Sequence, residues 1–151
     1  MRIHQDFVDL LREFAVSGVR YLVIGGYAVG FHDRPRTTKD LDLLLDPSDA
    51  NIMRACSALR TFGAPAQVIV DLSRASDDEV VWMGQPPLRI GFLRKADGVD
   101  FTAAFLEKAQ LRIDEVDIDV LGLEDLIAAK QAAGRPQDLV DLTRLERLRT
   151  P

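Results

Sequence analysis

The spacing of apolar residues changes twice before Asp46. From His4 to Val16 they fall at Phe7, Leu10, Leu11 and Phe14, one face of a helix, with Gly18 as its stop. Tyr21 to Ile24 is a short apolar run that reads as a strand, followed by Gly25, Gly26 and one or two turns of helix. From Asp40 the pattern alternates, so that Leu41, Leu43 and Leu45 take one side of a second strand and Asp40 and Asp42 the other. Ile52, Met53, Cys56 and Leu59 then form a helical stripe ending at Gly63, with Asp46 as cap and Pro47 at the first position.

The next stretch predicts an extra strand over Gln67 to Val70 and a helix from Asp71 to Met83, with Trp82 as its packing anchor. Pro86-Pro87 forbids helix and opens an extended segment, Leu88 to Leu93, in which Ile90 and Phe92 share one face and Arg89, Gly91 and Leu93 the other. Phe101 to Glu107 reads as a short helix, and Leu111 to Val120 as a hairpin turning at Asp114-Glu115. Two amphipathic helices close the chain, Leu123 to Ala133 with Leu126, Ile127 and Lys130, and Gln137 to Arg149 with Leu139, Leu142, Leu145 and Leu148. Interspersed helices and strands predict an α/β (α+β) fold, a small mixed central sheet flanked by helices, with the Tyr21, Leu41 and Leu88 strands as neighbours.

Composition narrows the class. A chain of 151 residues has the length of a single domain, expected to span 1–151. With 47% hydrophobic and 28% charged residues it is ordinary for a folded protein, which excludes wholesale disorder. A net charge of −5 gives no global field for nucleic acid, so a polynucleotide would need a local patch. Cys56 is the only cysteine, which excludes an intrachain disulfide framework and suits a reduced compartment. It reads as a small buried hydrophobe rather than a nucleophile. No apolar run reaches membrane-spanning length and no signal-peptide pattern opens the chain, so the expectation is a soluble, cytoplasmic protein without a membrane partner.

The chemistry gathers between Tyr21 and Asp46. Two carboxylates side by side on an apolar strand repel each other unless cations or hydrogen bonds offset the charge, and oxygen-only ligands favour hard divalent ions such as magnesium or manganese. Without Cβ atoms, Gly25 and Gly26 let a ligand approach the backbone where a helix begins with unpaired N–H groups, the arrangement that receives phosphate. The loop from His32 to Lys39 brings three cations and two hydroxyls, among them Arg36 and Thr38, which either meet a phosphate or protein or merely balance Asp40 and Asp42. His32 reads as structural. A second D-x-D, Asp117 and Asp119, follows a hairpin turn with no glycine before it and reads as the wet face of a strand. Lys130 either reaches toward a triphosphate or lies along the surface, the commoner fate. Asp138 and Asp141 read as helix-start electrostatics and surface pairing.

Gly25-Gly26, thirteen residues, then Asp40-Leu41-Asp42 resembles the signature of the nucleotidyltransferase superfamily, most of all small bacterial stand-alone members related to toxin–antitoxin and abortive-infection proteins. The resemblance implies the nucleotidyltransferase fold, Gly25 and Gly26 bordering a nucleoside triphosphate, and Asp40 and Asp42 holding Mg2+ (or Mn2+) as the catalytic pair. Arg36, Thr38 and Lys130 join them as nucleotide-binding candidates. It also implies a third carboxylate on the strand beside the D-x-D, and that position falls on Gly91; Asp97 and Asp100 in the next loop are the substitutes within reach.

Three readings follow. The first is a metal-dependent nucleotidyltransferase acting on an acceptor hydroxyl of a protein, an RNA end or a small molecule. The second is a catalytically weakened nucleotide-binding or protein-binding member of a toxin–antitoxin-type system, with a partner protein from an adjacent gene. A different D-x-D enzyme comes third, because a glycosyltransferase would be longer and Leu43-Leu44 lacks the threonine that supports a phosphatase nucleophile.

Overall fold

A computed structural model describes residues 3–34, 40–85 and 88–149. Their strands form one six-stranded mixed sheet: β1 (Tyr21–Ile24), β2 (Asp40–Leu45), β3 (Val80–Gln85), β4 (Leu88–Leu93), β5 (Ala109–Ile113) and β6 (Val116–Val120), in the order β3-β4-β2-β1-β6-β5. β2 runs antiparallel to β1 and parallel to β4, so the Tyr21, Leu41 and Leu88 strands are neighbours as expected. The helices are α1 (Gln5–Val16), α2 (Gly25–His32), α3 (Asp49–Phe62), α4 (Ala66–Arg74), α5 (Phe101–Leu106), α6 (Leu123–Ala133) and α7 (Pro136–Arg147).

Register divides the sheet into two chemically different faces. Tyr21 pairs with Leu45, Leu43 with Phe92 and Leu41 with Ile90, so these apolar side chains share one face. Phe14 of α1 closes it, its ring centroid 5.9 Å from that of Tyr21 and 6.2 Å from that of Phe92. Asp40 and Asp42 therefore stand on the opposite face, beside Arg89 and Gly91 of β4. Asn51 locks the end of β2 to the start of β1: its amide donates to the carbonyls of Arg20 (3.0 Å) and Asp46 (2.9 Å) and accepts from the Arg20 N–H (2.8 Å).

Several expectations fail, each for a local reason. Gln67 to Val70 is not a strand but part of α4, where Val68 and Leu72, four apart, face the core and Gln67 donates to Asp71 at 2.7 Å. The helix stops at Arg74. The last part of the helix expected from Asp71 to Met83 is instead β3, an edge strand antiparallel to β4, in which Val81 and Met83 turn to the core while Val80 and Trp82 turn away. Trp82 is thus 40% exposed rather than a core anchor. The cap of α3 is Ser48, accepting from the Asn51 N–H, with Asp46 accepting from the Ser48 N–H one step earlier and Pro47 outside the helix. Ala55 takes the stripe place expected for Met53, which is 72% exposed. Leu139 on α7 and Leu148 at its C-terminal cap are exposed, and the buried face of α7 is Asp138, Asp141 and Leu145.

The hairpin turns where expected, with φ of 49° and 66° at Asp114 and Glu115, and Asp117 and Asp119 lie on its polar face, paired with Arg112 (2.8 Å) and Gln110 (2.9 Å). No helix among the described residues is long and apolar enough to cross a membrane.

Candidate functional site

The polar face of the sheet opens into a cleft of about 500 Å³, bordered by the β1–α2 junction, β2, β3, β4 and the helices α6 and α7. Asp40, Asp42 and Gly25 all line it. The sequence brings them together simply: β1 and β2 pair so that Ile24 lies opposite Asp42, which places the first residue of α2 against that carboxylate.

Two features favour glycine at position 25. Its φ is +68°, and a Cβ on it would lie 2.5 Å from Asp42 Oδ2. Ile24, the residue capping α2, offers no side-chain acceptor to the first N–H groups of the helix. Gly26 is the second residue of the same helix. Backbone donors without a side-chain cap and a carboxylate thus meet at one corner of the cleft.

The two aspartates differ in environment. Asp40 is held by Arg89, whose Nη2 donates to Oδ2 at 2.9 Å and Nε to Oδ1 at 3.3 Å. Asp42 has no such clamp among the described residues. Burial, and next the charge of Asp40, push its carboxyl up to about 6, against the weaker pull of Arg89, Arg135 and Lys130. A nearby cation would favour the charged form of this carboxyl.

Position 91 is paired with Asp42 across the β2–β4 ladder, and it carries no acid. The space is not vacant. A Cβ at Gly91 would lie 2.8 Å from the Trp82 ring and 3.1 Å from Asp42 Oδ1. The edge of the indole therefore packs against bare backbone, and the Arg89 guanidinium lies over the ring, 3.8 Å from its centroid. Of the loop substitutes, Asp97 lines the cleft and Asp100 does not; Asp100 caps α5 by accepting from the Ala103 N–H at 3.1 Å.

Lys130 also lines the cleft, but it is not a surface lysine: it is 7% exposed and its Nζ lies 3.0 Å from Asp138 and 3.1 Å from Asp141. These aspartates, 1% and 2% exposed, are likewise not surface pairs. Arg135 adds a bond to Asp138 at 2.7 Å, and this bond, helped by Lys130, lowers the Asp138 carboxyl to about 2. The expectation of helix-start electrostatics holds for Asp138, which accepts from the Arg135 backbone N–H at 3.2 Å. His32 is structural, with Nε2 2.7 Å from the Leu121 carbonyl oxygen. Arg36 and Thr38 lie outside the described residues. Arg89 and Arg135 are the cleft cations that the sequence reading left out; for Arg89 the signal was its place on the same strand face as Gly91.

Two carboxylates on one wall suit one magnesium-like ion, which is commonly held by one or two carboxylates plus phosphate oxygens and water. They do not make a self-sufficient site: among the described residues no group of three or more His, Cys, Asp or Glu side chains gathers to hold an ion. The residues fit a single ion shared with a bound triphosphate, and leave no third carboxylate on β4 for a second.

No protein-family model and no curated sequence matches the chain. Solved structures do. The lincosamide antibiotic adenylyltransferase LnuA, lincomycin-bound, aligns with a TM-score of 0.63 at 13% identity, over 97% of this chain and 98% of that one. A putative nucleotidyltransferase from Thermotoga maritima gives 0.59 at 15%, over 97% and 96%. The antibiotic-resistance factor ANT(2'')-Ia gives 0.59 at 12%, over 95% and 87%. Across these neighbours the fold, rather than the sequence, is what is shared, and on that ground the chain has the nucleotidyltransferase fold.

Proposed function

We propose that the cleft binds a nucleoside triphosphate together with one Mg2+ or Mn2+ ion, and that the protein transfers a nucleotidyl group to an acceptor hydroxyl at a reduced rate. The observation that carries this reading is the meeting of Asp42, Asp40 and the start of α2 at one corner of a cleft large enough for a nucleotide. Gly25 and Gly26 let the triphosphate approach the backbone N–H groups of α2, which favour anionic charge. Asp40 and Asp42 hold the ion, which when bound neutralises phosphate charge and orients the α-phosphate.

In the reaction, the acceptor oxygen forms a bond to the α-phosphorus, the bond to the leaving pyrophosphate breaks, and the acceptor proton goes to a base or to solvent. No carboxylate stands at position 91 to take that proton; of the two that line the cleft besides Asp40 and Asp42, Asp138 is held by Lys130 and Arg135, which leaves Asp97 for the task. Two neighbours are described with antibiotics, lincomycin and adenylyl-2''-tobramycin, which makes small hydroxyl-bearing molecules the first acceptors to test. Lys130 acts mainly to hold α6 and α7 in place beside the cleft.

A binding-only role, in a toxin–antitoxin-type pair, is the second reading, favoured by the indole that covers the place of a third acid. Incubation with each α-labelled nucleoside triphosphate, magnesium, and either cell extract or a set of small hydroxyl acceptors separates the two. Label transferred by wild type and lost in Asp42→Asn supports the enzyme; saturable binding with no transfer supports the second.

A further inference from the structure

The Gly91 backbone and the Trp82, Arg89 and Asp40 side chains form a continuous chain of contacts, and the proposed chemistry gives no role to Trp82 or Arg89. Arg89 and Gly91 lie on β4 directly across from Asp40 and Asp42, on the same face as the carboxylates. Glycine at 91 leaves the strand backbone bare, and the Trp82 ring occupies the ground that even a methyl group would contest at 2.8 Å. The upper face of that indole carries the guanidinium at 3.8 Å. Asp40 fixes the guanidinium in its plane through the two bonds at 2.9 and 3.3 Å.

The arrangement fixes a cation at the entrance to the carboxylate pair. A guanidinium carries five N–H donors in a fixed fork, and Asp40 uses two of them. The others remain for a second anion, and the side chain is only partly buried, so an anion can reach it. Charge balance points the same way. A site of three carboxylates and two divalent ions presents one net positive charge to its substrate; two carboxylates, one ion and one guanidinium present the same.

We propose that Arg89 is a phosphate-binding residue of this cleft, standing in with its guanidinium for a second metal ion, and that Trp82 on Gly91 is what positions it. The proposal rests on the reading of the cleft as a triphosphate site and adds a residue and a charge mechanism to it. Gly91 is then not merely a lost acid. Its missing Cβ admits the indole, and the indole aims the arginine.

Trp82 is the only tryptophan, so its emission reports on this stack. The test is a fluorescence titration of the whole chain with ATP and, separately, with inorganic tripolyphosphate, first in excess EDTA and then in magnesium. Wild type should bind both ligands in EDTA. Loss of a charge-assisted hydrogen bond should make Arg89→Gln bind both about tenfold more weakly, with Arg89→Lys, which keeps the charge without the fork, in between. An equal loss for tripolyphosphate and ATP assigns the contact to phosphate rather than base.

Gly91→Ala leaves every polar group in place and should both shift the emission and weaken binding in EDTA. Because it retains Arg89, it carries the test if Arg89→Gln fails to melt cooperatively. Tighter magnesium–ATP binding by Arg89→Gln than by wild type would overturn the proposal, since the arginine would then be competing with the ion for Asp40. Unchanged binding in Arg89→Gln and Gly91→Ala would overturn it too, while leaving the triphosphate site standing. Failure of wild type to bind either ligand in magnesium would remove the site itself.

Discussion

Asp42 carries an electrostatic cost in the ion-free fold. Its carboxyl titrates near 6 because burial and Asp40 disfavour the ion, and the unfolded chain has no such penalty. The folded state therefore binds its proton more tightly than the unfolded state. Stability from this group falls as pH rises from about 4 to about 6 and stays low above that. Replacing the charge while keeping the shape should remove the penalty: Asp42→Asn is expected to stabilise the ion-free protein at pH 7 by about 1–2 kcal/mol, a rise of ~2–4 °C per kcal/mol in melting temperature. In calorimetry across pH 4 to 7, the gap between the variant and wild type should widen with pH. A variant that melts below wild type at pH 7 would show that a partner already stabilises the Asp42 carboxylate.

Gly25 is the second residue-scale case. Gly25→Ala meets both a φ of +68° and Asp42 Oδ2 at 2.5 Å, so about 1–3 kcal/mol should be lost in denaturant melts. If the cost is near zero, the turn into α2 has relaxed and its geometry is not what sets Asp42 in place.

Among the elements, α6 and α7 are joined by buried charge rather than by a continuous apolar seam. Lys130 sits between Asp138 and Asp141 with all three out of water, and such a set is costly to break because the surviving charges stay buried. Lys130→Ala should cost about 3–5 kcal/mol in urea unfolding, far more than a surface lysine would. A loss under 1 kcal/mol would mean that water enters and solvates the aspartates. Asp138 sets the acid limit of this pair: its carboxyl is lowered to about 2, chiefly by Arg135, so its contribution is present above the ordinary aspartate range and is lost as pH falls toward 2.

The same helices show where sequence reading stops. Alternation around Asp40 and Asp42, with Leu41, Leu43 and Leu45 opposite, identified β2 and both carboxylates, because a period of two on a half-buried strand has one physical meaning. The buried face of α7 was hidden because two of its members are aspartates, which read as surface unless their cationic partners are known to face them. Between Gln67 and Gln85 the pattern misled: four apolar-rich residues read as a strand, and the true strand was absorbed into a predicted helix. That misassignment hid Trp82 from the site, and with it the stack that holds Arg89.

At the scale of the molecule, the sheet sorts its side chains so that the apolar face packs the core and the polar face lines the cleft. The proposed function requires that polar face to hold a triphosphate through an ion on Asp40 and Asp42. A ligand that binds only the native state at a hundred times its dissociation constant stabilises the fold by about 2.7 kcal/mol, which a thermal melt resolves. The direct measurement is the melting temperature of wild type, Asp40→Asn and Asp42→Asn with saturating ATP, each in magnesium and in EDTA. The prediction is a clear rise for wild type in magnesium, with the magnesium-dependent part absent from both variants. Equal melting curves for wild type and both variants across magnesium and EDTA would contradict it.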